Sequence, residues 1–179
     1  MAIIIDNVNS TLKNDLERTI KKHEKISIAA GCFSMYAWQE LKKRLDEISE
    51  LRFIFTEPTF IAEKTPAALR EFYIPRRDRE RSLYGTEFEI KLRNELTQKA
   101  IAKECADWIR KKATFKSNAT QTRMPGFMIA GETVYAPFNG FTTVDLGCER
   151  GNNAFSLIAK LDSPENTRPY RQTFDALWN

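Results

Sequence analysis

The sequence is short of the side chains that hydrolases and metal centres most often use. It holds one histidine, His23, and three cysteines, Cys32, Cys105 and Cys148. A structural zinc site takes four ligands, usually cysteine and histidine. Scattered thiols with no C-x-x-C pair and a single imidazole do not supply them, so no metal is expected. An odd number of thiols points to free, mostly buried cysteines in a reducing compartment. Long apolar runs are also missing. None approaches the roughly eighteen residues of a membrane span, and 29% charged residues argue against one. The opening stretch MAIIIDNVNS has no basic n-region and no small-residue cleavage site, so no secretory leader is expected and the cytoplasm is the expected compartment. No G-x-x-x-x-G-K-[ST] occurs, which excludes a P-loop for ATP within these residues. There is no internal repeat and no low-complexity tract.

What is present suits one domain. The 179 residues are 42% hydrophobic, enough for a single core. The net charge of +4 and pI near 9.0 permit an anionic partner such as nucleic acid without requiring one.

Periodicity gives the order of elements. AIIID (residues 2–6) reads as a strand. In the helix that follows, Asn9 or Ser10 is the expected cap, and Leu12, Leu16 and Ile20 share one face. ISIAAGCF (26–33) is a strand apolar enough to be buried on both faces. Ser34 caps a second helix with an inward stripe of Trp38, Leu41, Leu45 and Ile48. LRFIFTEP (51–58) is a third strand, stopped by Pro58. This β-α-β-α-β order argues for the α/β class, with a mixed, largely parallel central sheet flanked by helices.

Residues 65–89 read as an exposed, partly irregular excursion. It carries Arg76, Arg77, Arg79 and Arg81, offset by Asp78 and Glu80 and flanked by Tyr73 and Tyr84. A long helix over 87–112 has an apolar stripe of Leu92, Leu96, Ile101, Cys105, Trp108 and Ile109. Its last turn carries Arg110, Lys111 and Lys112, where cations suit the helix dipole. ATFKSNA (113–119) is a short strand. A turn follows, then a hairpin about Gly131-Glu132, a polar loop over 139–153 and a strand in AFSLIAKLD (154–162). A short helix closes the tail on Phe174, Leu177 and Trp178. The final apolar Leu-Trp pair is expected to continue into a longer protein.

Three stretches carry a family likeness: AIAKECADWIRKKATFKSN (100–118), NGFTTVDLG (139–147) and FDALWN (174–179). The earlier ISIAAGCFSMYAWQEL and LRFIFTEPTF fit the same pattern. Together they resemble the N-terminal phospholipase D-like domain of large bacterial Swi/Snf-type helicases, over nearly the whole chain. The resemblance implies a phospholipase D-like, nuclease-like fold over residues 1–179. It implies a helicase motor beyond Asn179, to which any ATP and magnesium would belong.

Members of that superfamily that cut phosphodiesters use His-x-Lys followed by a Gly-Ser-x-x-Asn type of loop. One imidazole attacks phosphorus, the lysine neutralises phosphate oxygens, and a second imidazole protonates the leaving group. With one motif per chain, two chains must pair. Here the strand that should carry the motif falls in MPGFMIAGETVY (124–135), which has neither His nor Lys. In the loop, Phe141 and Thr142 match the relatives' Phe-Thr, and Gly140 falls where Asn belongs. The resemblance therefore implies a retained architecture without catalytic residues, with Asn139, Gly140, Phe141, Thr142, Thr143 and Asp145 as a vestigial active-site loop. His23-Glu24-Lys25 spells His-x-Lys, but no matching loop follows it, and a solvated helix end is the expected role.

Two basic groups are candidates for phosphate contact: Arg76, Arg77, Arg79 and Arg81, and Arg110, Lys111, Lys112 and Lys116, with Arg123 from the turn. The second group precedes the strand leading toward the vestigial loop, and in the fold it is expected to place positive charge near the old phosphate cleft. Solvated surface and helix capping are the competing roles. Thr142, Thr143 and Asp145 are expected to make local turn bonds rather than to bind an anion, because Asp145 would repel phosphate. The expected function is that of a non-catalytic accessory domain of a helicase, positioning its motor on DNA or RNA or docking a protein. The alternatives are a phosphodiesterase or nuclease with an unrecognised site, and an oligomerisation module, possible as a homodimer through the face active relatives use to pair.

Overall fold

The computed structural model describes residues 2–56, 95–120, 124–149 and 156–179, the side chains of 95–98 excepted. Among these residues the chain runs β1 (Ile3–Ile5), α1 (Leu12–Thr19), β2 (Lys25–Ala30), α2 (Met35–Leu45), β3 (Glu50–Phe55), α3 (Glu95–Lys112), β4 (Ala113–Ser117), β5 (Phe127–Ala130), β6 (Thr133–Ala136), β7 (Ile158–Leu161) and α4 (Pro164–Trp178). The seven strands form one sheet in the order β1-β7-β6-β5-β2-β3-β4.

The expected α/β class and mixed sheet are present, but the sheet is not largely parallel. Only β2-β3 and β3-β4 pair in parallel. The other four neighbouring pairs are antiparallel. The physical reason is the placement of β1 and of the 127–136 hairpin. A two-residue turn at Gly131, with φ +56, folds β5 back on β6 and forces antiparallel pairing. β1 is followed by a helix and then a strand, as in a parallel unit. It nevertheless sits at the far edge beside β7, with Ile3 opposite Lys160 and Ile5 opposite Ile158.

Two apolar layers cover the sheet. On one face α1, α2 and α3 bury a core built on Leu12, Leu16, Trp38, Leu41, Phe53 and Trp108. The helical stripes read from the sequence point this way: Leu12, Leu16, Ile20, Trp38, Leu41, Leu45, Ile48, Ile101, Cys105 and Trp108 are all buried. On the other face α4 lays Phe174 against Ala29, Ile54, Phe127 and Ile129. α4 spans 15 residues, longer than the short helix expected, and continues through Pro169. Pro169 removes one N–H from its second turn without ending it.

The first helix is capped one residue later than expected. The Thr11 side chain accepts from the Asn14 N–H. The Asn9 and Ser10 N–H groups instead turn inward on the Asp6 carboxylate, which also accepts from Val8. These bonds hold the Asp6 carboxyl well below the usual carboxylate range. Ser34 caps α2 as expected, accepting from the N–H groups of Tyr36 and Ala37.

Candidate functional site: a closed loop at the end of the parallel strands

β2 ends at Ala30, and the chain crosses residues 31–34 into α2. The 139–149 loop lies along this crossing. The Gly31 N–H donates to the Asn139 carbonyl at 2.8 Å, the Phe141 N–H to the Cys32 carbonyl at 2.9 Å, and the Ser34 N–H to the Phe141 carbonyl at 2.8 Å. The pairing is a parallel bridge between Phe33 and Phe141. Their rings stack 5.3 Å apart, and Phe33 also meets Phe53 and Phe115 edge-on. Phe141 is thus an apolar anchor, and Thr142 begins a turn.

The turn satisfies its own polar groups. The Thr142 hydroxyl donates to the Asp145 carboxylate and accepts from the Asp145 N–H. The N–H groups of Leu146, Gly147 and Cys148 go to the carbonyls of Thr142, Val144 and Thr143. The Thr143 hydroxyl donates to Glu149 at 2.9 Å. An anion cradle needs several backbone donors aimed at one point; here those of Phe141, Asp145, Leu146, Gly147 and Cys148 are engaged internally.

Asn7 locks this turn to α1. Its side chain donates to the Asp145 carbonyl at 2.8 Å and accepts from the Leu12 N–H at 2.8 Å. Gly147, at φ +77, passes so close that a Cβ there would lie 2.6 Å from Asn7 Oδ1. Gly140 is equally confined. A Cβ at that position would lie 2.9 Å from Cys32 Sγ and 3.0 Å from Asp145 Oδ2. The space that a side chain at position 140 would enter is occupied by a thiol and a carboxylate. Gly126, just before β5, is tighter still, with Phe138 backbone 2.0 Å from an added Cβ.

The other candidate residues are dispersed. Lys112 donates to the Ile48 carbonyl at 2.6 Å, and Arg110 to Asp107 at 2.7 Å; Lys111 is exposed. These three stand at the start of β4 and β3, the end of the sheet opposite the 139–149 loop, so they do not bring positive charge to that loop as expected from the sequence. Lys116 lies further along β4 on the α4 face. It donates to the Trp178 carbonyl and sits 4.6 Å from the centre of that indole. His23 is also at the far end: it is exposed, with φ +61, and its N–H donates to the Glu47 carbonyl at 2.8 Å. The six residues of β2 alone separate it from the loop by about 20 Å. Arg76, Arg77, Arg79, Arg81, Arg123, Tyr73 and Tyr84 lie outside the described residues.

One polar cluster was not foreseen. The Tyr135 hydroxyl donates to Asp15 at 2.6 Å, and Lys160 reaches the same carboxylate at 2.8 Å, with Thr19 beside both. It ties β6 and β7 to α1. Burial and the neighbouring Asp15 push the Tyr135 hydroxyl well above its usual pKa. No sequence signal links these residues, which come from three separate elements. Among the described residues, no group of three or more His, Cys, Asp or Glu side chains is placed to hold a metal. No described helix is long and apolar enough to cross a membrane.

No family model matches the chain, and no curated protein matches it. Among solved structures it is similar to TrmBL2, an archaeal chromatin protein whose structure shows a novel mode of DNA binding. The identity is 9% and the TM-score 0.45, over 99% of this chain and 51% of that one. The chain thus spans about half the length of that protein, and a likeness of this degree carries no argument.

Proposed function

We propose that this chain is a non-catalytic, phospholipase D-like accessory domain that binds nucleic acid on behalf of a helicase motor. The motor, with its ATP and magnesium, belongs to a longer protein. The observation that carries the non-catalytic part is the packing at Gly140. An asparagine side chain there would have to displace Cys32 and Asp145, and the N–H groups of Phe141, Asp145, Leu146, Gly147 and Cys148 are already hydrogen-bonded. The far placement of His23 supports the same reading, because an imidazole must come within hydrogen-bond reach of the reacting group.

The nucleic-acid part is supported by the charge balance of +4 and by exposed lysines and arginines on the helix ends. Binding of this kind follows the phosphate backbone, with little sequence preference and a steep salt dependence. Fluorescence anisotropy with labelled single- and double-stranded DNA and RNA tests it. Binding at about 50 mM salt that weakens log-linearly as salt rises is the expected result. No binding to any of these probes at low salt overturns the proposal. Cleavage of a generic phosphodiester by the chain overturns its non-catalytic part, whether or not it survives His23→Ala.

A further inference from the structure

We infer that the nucleic-acid surface is the end of the sheet where the C-termini of α1, α2 and α3 converge, and not the end that holds the 139–149 loop. The inference rests on the nucleic-acid reading above and adds where the phosphates sit. Contacts between the three ends show that they meet. The His23 N–H donates to the Glu47 carbonyl, the Ser49 N–H to the Glu24 carbonyl, and Lys112 to the Ile48 carbonyl. The Trp108 indole N–H donates to the Leu45 carbonyl at 3.2 Å, fixing α3 against the end of α2.

Charge gathers at this junction. Residues 18–25 contribute Arg18, Lys21, Lys22 and Lys25 against Glu24. Residues 43–50 contribute Lys43 and Arg44 against Asp46, Glu47 and Glu50. Residues 107–112 contribute Arg110, Lys111 and Lys112 against Asp107. Nine cations against five carboxylates leave four net positive charges, and the whole chain has a net charge of +4. The surplus of these three stretches equals the net charge of the whole chain; the neighbouring turn at Gly131, which lies against Glu24, adds Glu132, paired with Arg171. Three helix C-termini contribute roughly −0.5 each, which offsets less than half of that surplus.

Part of the charge is tied down. Lys22 and Arg44 share Glu47, Lys25 pairs with Glu50, and Arg110 with Asp107. Lys21, Lys43 and Lys111, one from each helix end, are exposed, and among the described residues no ion pair engages them. Packed helices lie about 8–10 Å apart, so three neighbouring ends spread these lysines over roughly 20 Å. That is wide enough to meet phosphates on both sides of a major groove about 12 Å across. The surface fits a phosphate backbone better than a membrane. The exposed large apolar side chains among the described residues are Ile3, Ile4, Val8 and Leu157, and they sit at the β1 edge.

The test compares the unaltered chain with Lys21→Gln/Lys43→Gln/Lys111→Gln and with the charge-matched Arg76→Gln/Arg77→Gln/Arg79→Gln. Binding to a labelled DNA duplex is measured by anisotropy across a salt series, with thermal melting to verify folding. The lysine variant is expected to melt like the parent and to bind about tenfold or more weakly at low salt. Its salt slope should be shallower by about 1 for each lysine lost. A lysine variant that binds within twofold of the parent, or an arginine variant that alone loses the binding, overturns the inference and leaves the nucleic-acid reading standing. Tighter binding to phosphatidylserine vesicles than to the duplex overturns it as well. If the unaltered chain binds no nucleic acid, the broader reading falls with it.

Discussion

Tyr135 in β6 donates its hydroxyl hydrogen to Asp15 in α1 at 2.6 Å, across a sequence separation of 120 residues. Lys160 in β7 closes the cluster on the same carboxylate, with its side chain only 18% exposed. This contact binds the antiparallel strands β6 and β7 to α1.

The cluster makes stability depend on acid pH. Burial raises the Asp15 pKa, but the bonds from Lys160 and Tyr135 outweigh it, and the net shift is downward from 3.8. A carboxyl with a depressed folded pKa contributes stability that is present above the unfolded value and lost as pH falls through the folded value. The melting temperature should therefore fall below pH 3.8 more steeply in the parent than in Asp15→Asn. At neutral pH, Asp15→Asn should cost about 1.5–3 kcal/mol, the range for hydrogen bonds to charged groups. Chemical denaturation at the two pH values measures both effects.

Gly140→Asn should destabilise the fold. Its Cβ would press on Cys32 Sγ and Asp145 Oδ2. Overpacking of this kind costs about 1–3 kcal/mol. Cys32→Ala removes one of the two obstructing atoms, so it should return part of the loss in the double variant. A double-mutant cycle by urea denaturation reads the coupling.

Arg52 should be the main polar anchor of α4. Its guanidinium donates to Ser27 Oγ at 3.1 and 2.8 Å and to Asp175 at 3.1 Å, and it lies 4.9 Å from the centre of the Phe174 ring. Arg52→Lys keeps the charge and loses the planar fork. It should speed amide exchange through α4 and leave exchange in α2 unchanged.

The buried Cys105 and the half-buried Cys148 should be slow to alkylate. Burial pushes the Cys105 thiol up to about 12, and burial with the nearby Glu40 pushes Cys148 up to about 11. The thiolate is the reactive form. Iodoacetamide at neutral pH should label Cys105 and Cys148 only after unfolding, as mass spectrometry of digested protein will show.

The sequence by itself determined most of the local elements. The four-residue spacing of Leu12, Leu16 and Ile20 marked a helix, and Ser34 marked the start of the next, because both signals act within one or two turns. It also determined that Arg110, Lys111 and Lys112 would crowd the last turn of α3. The Thr11 cap was less legible because Asp6 competes for the nearby N–H groups. Pro169 hid the length of α4. Only the tertiary structure decided the strand order, the closure of the Gly140 space by Cys32, and the meeting of three basic helix ends at one pole. Each depends on pairings between residues far apart in the chain. Such pairings are selected by burial and backbone hydrogen bonding over the whole sheet, which no local pattern encodes.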